Sequence, residues 1–216
     1  MIASFSLIFG ALLVLPFVLK QVKFNAEAFI LGCGAFIIVP IVQSPLQHLF
    51  LIARNIQNLL LIIAISLCIG FFTGLIQETI KFLITRKIKS PTAIWVGYGF
   101  GLTEALLIAI TSFTVLAHVR DLSFPLISLY ERFLATFFHT LTTGIYAYGI
   151  MKGIGLKVLI LMIIIHAAMN FSATMINIRR MHHILTPMDL TIFYITLTLL
   201  TFILFPIYLK VRVKHG

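Results

Sequence analysis

Two glutamates and two histidines stand inside otherwise apolar stretches of this chain: Glu78, Glu104, His139 and His166. Carboxylates and imidazoles are the ingredients of a buried metal or proton-transfer site. Histidines paired with carboxylates suit a zinc-like ion better than a hard-cation cage. An ionisable residue at the centre of a membrane-spanning helix costs roughly 2.5–3.5 kcal/mol on insertion scales. A lone one can serve merely to hydrogen-bond a neighbouring helix. Four on four separate expected helices, at similar depth, favour a common site.

Depth follows from helical rise. At about 1.5 Å per residue, Glu78 lies roughly 12 Å from the basic cluster that starts at Arg86, and His166 roughly 14 Å from Lys157. Glu104 and His139 lie roughly 20 Å from Pro91 and Lys152. Facing follows from spacing, since residues three or four apart share a helix face. Gly70, Gly74 and Glu78 form one stripe, and Gly97, Gly101 and Glu104 another. Small residues let helices approach closely, so both glutamates are expected to face neighbouring helices. His166 and Asn170 share a face, as do Arg132 and His139. Lys81 follows Glu78 by three, which permits an intrahelical ion pair.

The elements that must position these residues are transmembrane helices. Of 216 residues, 61% are hydrophobic and 10% charged, with mean hydropathy +1.12. Apolar runs of about 20 residues recur throughout, the length of a membrane-crossing helix. The fold class is therefore all-α: a polytopic helical membrane protein, with 1–216 a single integral membrane domain and a motif-bearing core at about 57–177. About seven spans are expected, near 2–19, 26–43, 57–85, 92–117, 127–151, 156–177 and 190–209. Residues 46–55 would be an interfacial helix or an extension of the second span, which could raise the count to eight. The N-terminus lacks a basic region and a clear cleavage site, and reads as a retained first span.

The net charge of +10 does not imply nucleic acid, because the basic residues sit at helix ends rather than on one surface. With seven spans, ten fall on one side: Lys20, Lys23, Arg86, Lys87, Lys89, Lys152, Lys157, Lys210, Arg212 and Lys214. Four fall on the other: Arg54, Arg120, Arg179 and Arg180. The positive-inside rule then puts the N-terminus outside and the C-terminus in the cytoplasm. The expected setting is the plasma (cytoplasmic) membrane of a prokaryote. Cys33 and Cys68 lie in spans and read as small hydrophobes.

Four motifs, in order, resemble those of the intramembrane metalloprotease superfamily that contains the CAAX-processing proteases, the PrsW-like and the YhfC-like proteins. GLIQETIKFL (74–83) is similar to the EExxK/R helix. GYGFGLTEALL (97–107) is similar to the second, FxxxE-type motif. ERFLATFFHT (131–140) resembles the ER-and-His helix of YhfC-like members, and HAAMN (166–170) the HxxxN/D motif. The multi-pass scaffold subunit of gamma-secretase belongs to the same wider group.

The resemblance implies a membrane-embedded, metal-dependent peptidase that cleaves a transmembrane or membrane-adjacent polypeptide. His139 and His166 would hold a divalent metal, Zn²⁺ by preference. Glu104 would be a third ligand or the base, Glu78 base or ligand, and Asn170 an oxyanion donor. Lys81 and Arg132 would support them. Gln77 stands where the family has its first glutamate, the expected general base, and an amide cannot take up that proton. Two other classes stay open: a non-catalytic scaffold that binds transmembrane helices, and a proton-coupled transporter using the Glu/His set as a relay.

Overall fold

The computed structural model describes residues 2–53, 55–56, 58–88, 90–113 and 123–213. Arg54, Lys89, Arg120 and Lys214, used in the charge count, lie outside the described residues. The described chain is all-helical, without strands: α1 (Ile2–Leu12), α2 (Leu15–Gln21), α3 (Ala26–Val42), α4 (Ser44–Ala53), α5 (Leu59–Ile88), α6 (Ile94–Thr111), α7 (Ser123–Met151), α8 (Gly155–Met181) and α9 (Pro187–Val213). A single turn of 3₁₀ helix, Pro91–Ala93, leads into α6.

The helices begin where local chemistry supplies caps. Asn25 Oδ1 accepts from Ala28 N–H at 2.9 Å to open α3. Thr186 and Asp189 exchange side-chain and backbone bonds of 3.2 and 2.8 Å to open α9, which is a capping-box arrangement. Five segments are long and apolar enough to cross a membrane: Ser4–Gln21, Leu59–Ile88, Pro91–Thr111, Gly155–Met181 and Pro187–Arg212. The pair α3 and α4, bent by 45°, makes a sixth if taken as one span. The segment weighed as an interfacial helix or an extension of the second span, α4, follows α3 at that bend. The fifth expected span, α7, is long enough at 29 residues but is not among the five. It carries Glu131, Arg132, His139 and a run of threonines, which lower its hydropathy. Large apolar side chains such as Phe5, Phe9, Ile30, Ile41, Leu60 and Ile164 point outward, as on a surface solvated by lipid tails.

Two seams set the site. Along α5 and α8, a Cβ on Gly74 would lie 2.8 Å from Ala167 N, and one on Gly70 2.7 Å from Ala167 O. Between α6 and α7, a Cβ on Gly97 would lie 2.2 Å from His139 O. Both glycine stripes therefore mark backbone-to-backbone contact, and each brings its glutamate against a histidine-bearing helix.

Some of the basic ends lie together. Arg212 bonds Gln21 through its guanidinium, Trp95 Nε1 donates to Lys23 O at 2.9 Å, and Asn25 Nδ2 donates to Thr92 at 3.0 Å. The ends carrying Lys20, Lys23 and Arg212 thus share one face of the bundle with the start of α6. At the opposite face His182 lies 3.4 Å from Ala53 O, bringing the Arg179–Arg180 end of α8 beside the end of α4.

Candidate active site

Glu78, Lys81, Glu104, Arg132, His139 and His166 form one connected polar cluster drawn from α5, α6, α7 and α8. Lys81 Nζ sits at its centre. It donates to Glu78 Oε1 at 2.7 Å and to Thr142 Oγ1 at 3.0 Å, and it lies 3.0 Å from His139 Nδ1. Its ammonium also lies 5.5 and 5.7 Å from the ring centroids of Phe100 and Phe138, within cation–π range. Glu78 and Lys81 are both fully buried, and a buried charge pair persists only when well bonded.

The network assigns the tautomers. An ammonium has donors only, so His139 Nδ1 must accept from Lys81. Its other nitrogen then carries the proton, and Nε2–H donates to Glu104 Oε2 at 3.1 Å. Glu78 Oε1, already taking Lys81, accepts from His166 Nδ1–H at 2.5 Å, and Glu78 Oε2 accepts from Tyr146 at 2.7 Å. The bonds from Lys81, His166 and Tyr146 all end on Glu78, two on Oε1 and one on Oε2. His166 is left with the lone pair of Nε2 uncommitted. The two imidazole centroids are 5.3 Å apart.

A cavity of about 70 Å³, room for a water or two, opens beside the cluster. Glu104, Arg132, His139, His166 and Asn170 line it together with Glu131, Phe138, Phe193 and Leu197. Glu78 lies behind it. Arg132 Nη2 donates to Glu131 Oε1 at 2.7 Å, and Nη1 stands 3.5 Å from Glu104 Oε1. Asn170 Nδ2 donates to His166 O on its own helix at 3.2 Å. Gln77 is buried, with Oε1 unbonded among the described residues, and does not line the cavity.

Glu78, His139 and His166 form a group that can hold a metal ion, each offering one donor atom with all three within 4.8 Å of one another. Of the two glutamates weighed as a third ligand, Glu78 belongs to this group, while Glu104 Oε2 accepts from His139 Nε2. The donor types suit zinc. Glu78 and His139 are at the same time bonded to the Lys81 ammonium, a cation already seated beside them.

Two members of the cluster escaped the sequence reading. Tyr146 and Thr142 complete the shells of Glu78 and Lys81. The signal for Tyr146 was present, since Arg132, His139 and Tyr146 are spaced by seven along α7, two turns apart on one face. A tyrosine inside a span nevertheless reads as core.

No protein-family model matches this chain, and no curated protein or solved structure matches it.

Proposed function

We propose that this chain is a membrane-embedded peptidase that hydrolyses a peptide bond of a transmembrane or membrane-adjacent polypeptide. The observation that carries this reading is the convergence of two carboxylate–imidazole pairs, Glu78–His166 and Glu104–His139, on one small polar cavity. His166 Nε2 takes a proton from water, and Glu78 holds the ring in the required tautomer and balances the imidazolium that forms. The water oxygen bonds to the carbonyl carbon. The C–N bond then breaks as His166 returns its proton to the leaving amine. Glu104 and Lys81 fix His139 from both sides and keep the cavity polar. The resemblance to YhfC-like and PrsW-like proteases supports the same class, and this route does not use Gln77 as a base.

A second reading is favoured by the Glu78–His139–His166 group: these residues would hold a Zn²⁺ ion, which would supply Lewis-acid activation of the attacking water. Metal content of the purified protein, measured beside His139→Ala and His166→Ala, separates the two. Stoichiometric zinc lost in both variants supports the second reading, and cleavage by metal-free protein supports the first. Failure of the wild-type chain to cleave any membrane helix refutes both.

A further inference from the structure

Arg132 is 93% buried, being 7% exposed, yet its Nη1 has no hydrogen-bond partner among the described residues. Its nearest acceptor, Glu104 Oε1, stands 3.5 Å away, beyond the usual length of a charge-assisted bond. Buried donors are nearly always satisfied, and one that is not calls for an explanation. Nη1 belongs to a side chain that lines the same cavity as His166 and Glu104.

We propose that Arg132 Nη1 binds the carbonyl oxygen of the substrate at the bond to be cleaved, which makes Arg132 a catalytic residue; this rests on the peptidase reading. The chemical class of the ligand follows from charge. The guanidinium already faces Glu131 and Glu104, two carboxylates. A third anion, such as a free C-terminal carboxylate, would leave three negative groups around one positive one. A neutral carbonyl oxygen meets no such penalty. When water adds to the carbonyl carbon, the C=O π pair moves onto that oxygen, and the water proton goes to His166 Nε2. A charge-assisted bond from Nη1 then strengthens as negative charge develops, which is how a fixed donor lowers a barrier. Asn170, the donor expected from the sequence, has one Nδ2 hydrogen on the His166 carbonyl and is neutral, so it answers a developing negative charge less strongly than a guanidinium. Arg132 is the donor held free, fixed in place by Nη2 on Glu131.

The test measures binding as well as turnover. A hydrophobic tripeptide methyl ketone and the same peptide with the ketone carbonyl reduced to methylene are titrated into the full chain in lipid nanodiscs. Wild type should prefer the ketone by about tenfold or more, the size of one hydrogen bond to a charged group. Arg132→Gln should reduce that preference to near unity. Arg132→Lys, which keeps the charge but not the fork, should lose most of it, and it decides the matter if the glutamine variant does not fold. On a cleaved helix, kcat should fall about 10²-fold in either variant, the usual effect of removing one oxyanion donor, while KM rises by no more than the ketone preference lost. An unchanged ketone preference in the folded variants, or none in wild type, overturns the assignment. A ketone preference that depends on Arg132 in a chain that cleaves nothing upholds the carbonyl site and refutes the peptidase reading instead.

Discussion

Glu78→Gln should strand the ammonium of Lys81. In the native cluster that ammonium lies 2.7 Å from Glu78 Oε1, with both side chains fully buried. The variant leaves it with neutral acceptors only: the amide oxygen of the new glutamine, and His139 Nδ1 and Thr142 Oγ1, the last two at 3.0 Å. Removing one partner of a buried pair costs about 3–5 kcal/mol. Release of the lysine proton caps the loss at about 4.6 kcal/mol at pH 7, taking an ordinary lysine of pKa 10.4. A destabilisation of about 3 kcal/mol is expected. Lys81→Met in the same background removes the stranded charge, so the double variant should be more stable than Glu78→Gln alone by about 1–2 kcal/mol. Equilibrium unfolding in mixed micelles, followed by tryptophan fluorescence, measures wild type, both single variants and the double variant. If Glu78→Gln unfolds within about 0.5 kcal/mol of wild type, or the double variant shows the simple sum of the single losses, the buried charge pair is not what holds the cluster together.

The remaining expectations concern other parts of the cluster. Gly97→Ala places a methyl 2.2 Å from His139 O; overpacking of this kind costs about 1–3 kcal/mol, and both Tm and hydrolysis should fall as α7 is displaced. Tyr146→Phe leaves Glu78 Oε2 without its donor, so stability should drop by about 1–2 kcal/mol, and activity should fall with it while the substrate KM holds. Gln77→Ala should change turnover less than twofold, because Gln77 neither lines the cavity nor bonds the cluster; a large loss would restore Gln77 to the mechanism.

The helices were readable because burial in lipid writes them as long apolar runs, and α5, α6, α8 and α9 appear close to where hydropathy puts them. The site residues were readable for the opposite reason, since Glu78, Glu104, His139 and His166 interrupt those runs at an energetic cost. The glycine stripes gave the facing, and Gly74 and Gly97 do sit where α5 meets α8 and α6 meets α7. Span status was less legible for α7, whose polar face turns inward and so depresses the very hydropathy that identifies a span. Spacing along each helix also could not rank the two glutamates. Whether Glu78 or Glu104 lies between the histidines depends on how α5 and α6 rotate against α7 and α8, a tertiary quantity. The seat of Lys81 was hidden likewise. An i, i+3 pair with Glu78 was visible, but its reach to His139 and Thr142 required α7.

The central claim is hydrolysis at the Glu/His cavity, and isotopic labelling tests it most directly. Purified wild-type chain in liposomes is incubated with a set of apolar helical peptides in heavy-oxygen water, and the products are read by mass spectrometry. The account predicts fragments whose new C-terminal carboxyl carries heavy oxygen, absent with His166→Ala and strongly reduced with Glu104→Gln. Intact peptides with wild type, or labelled fragments that persist in His166→Ala, would contradict it.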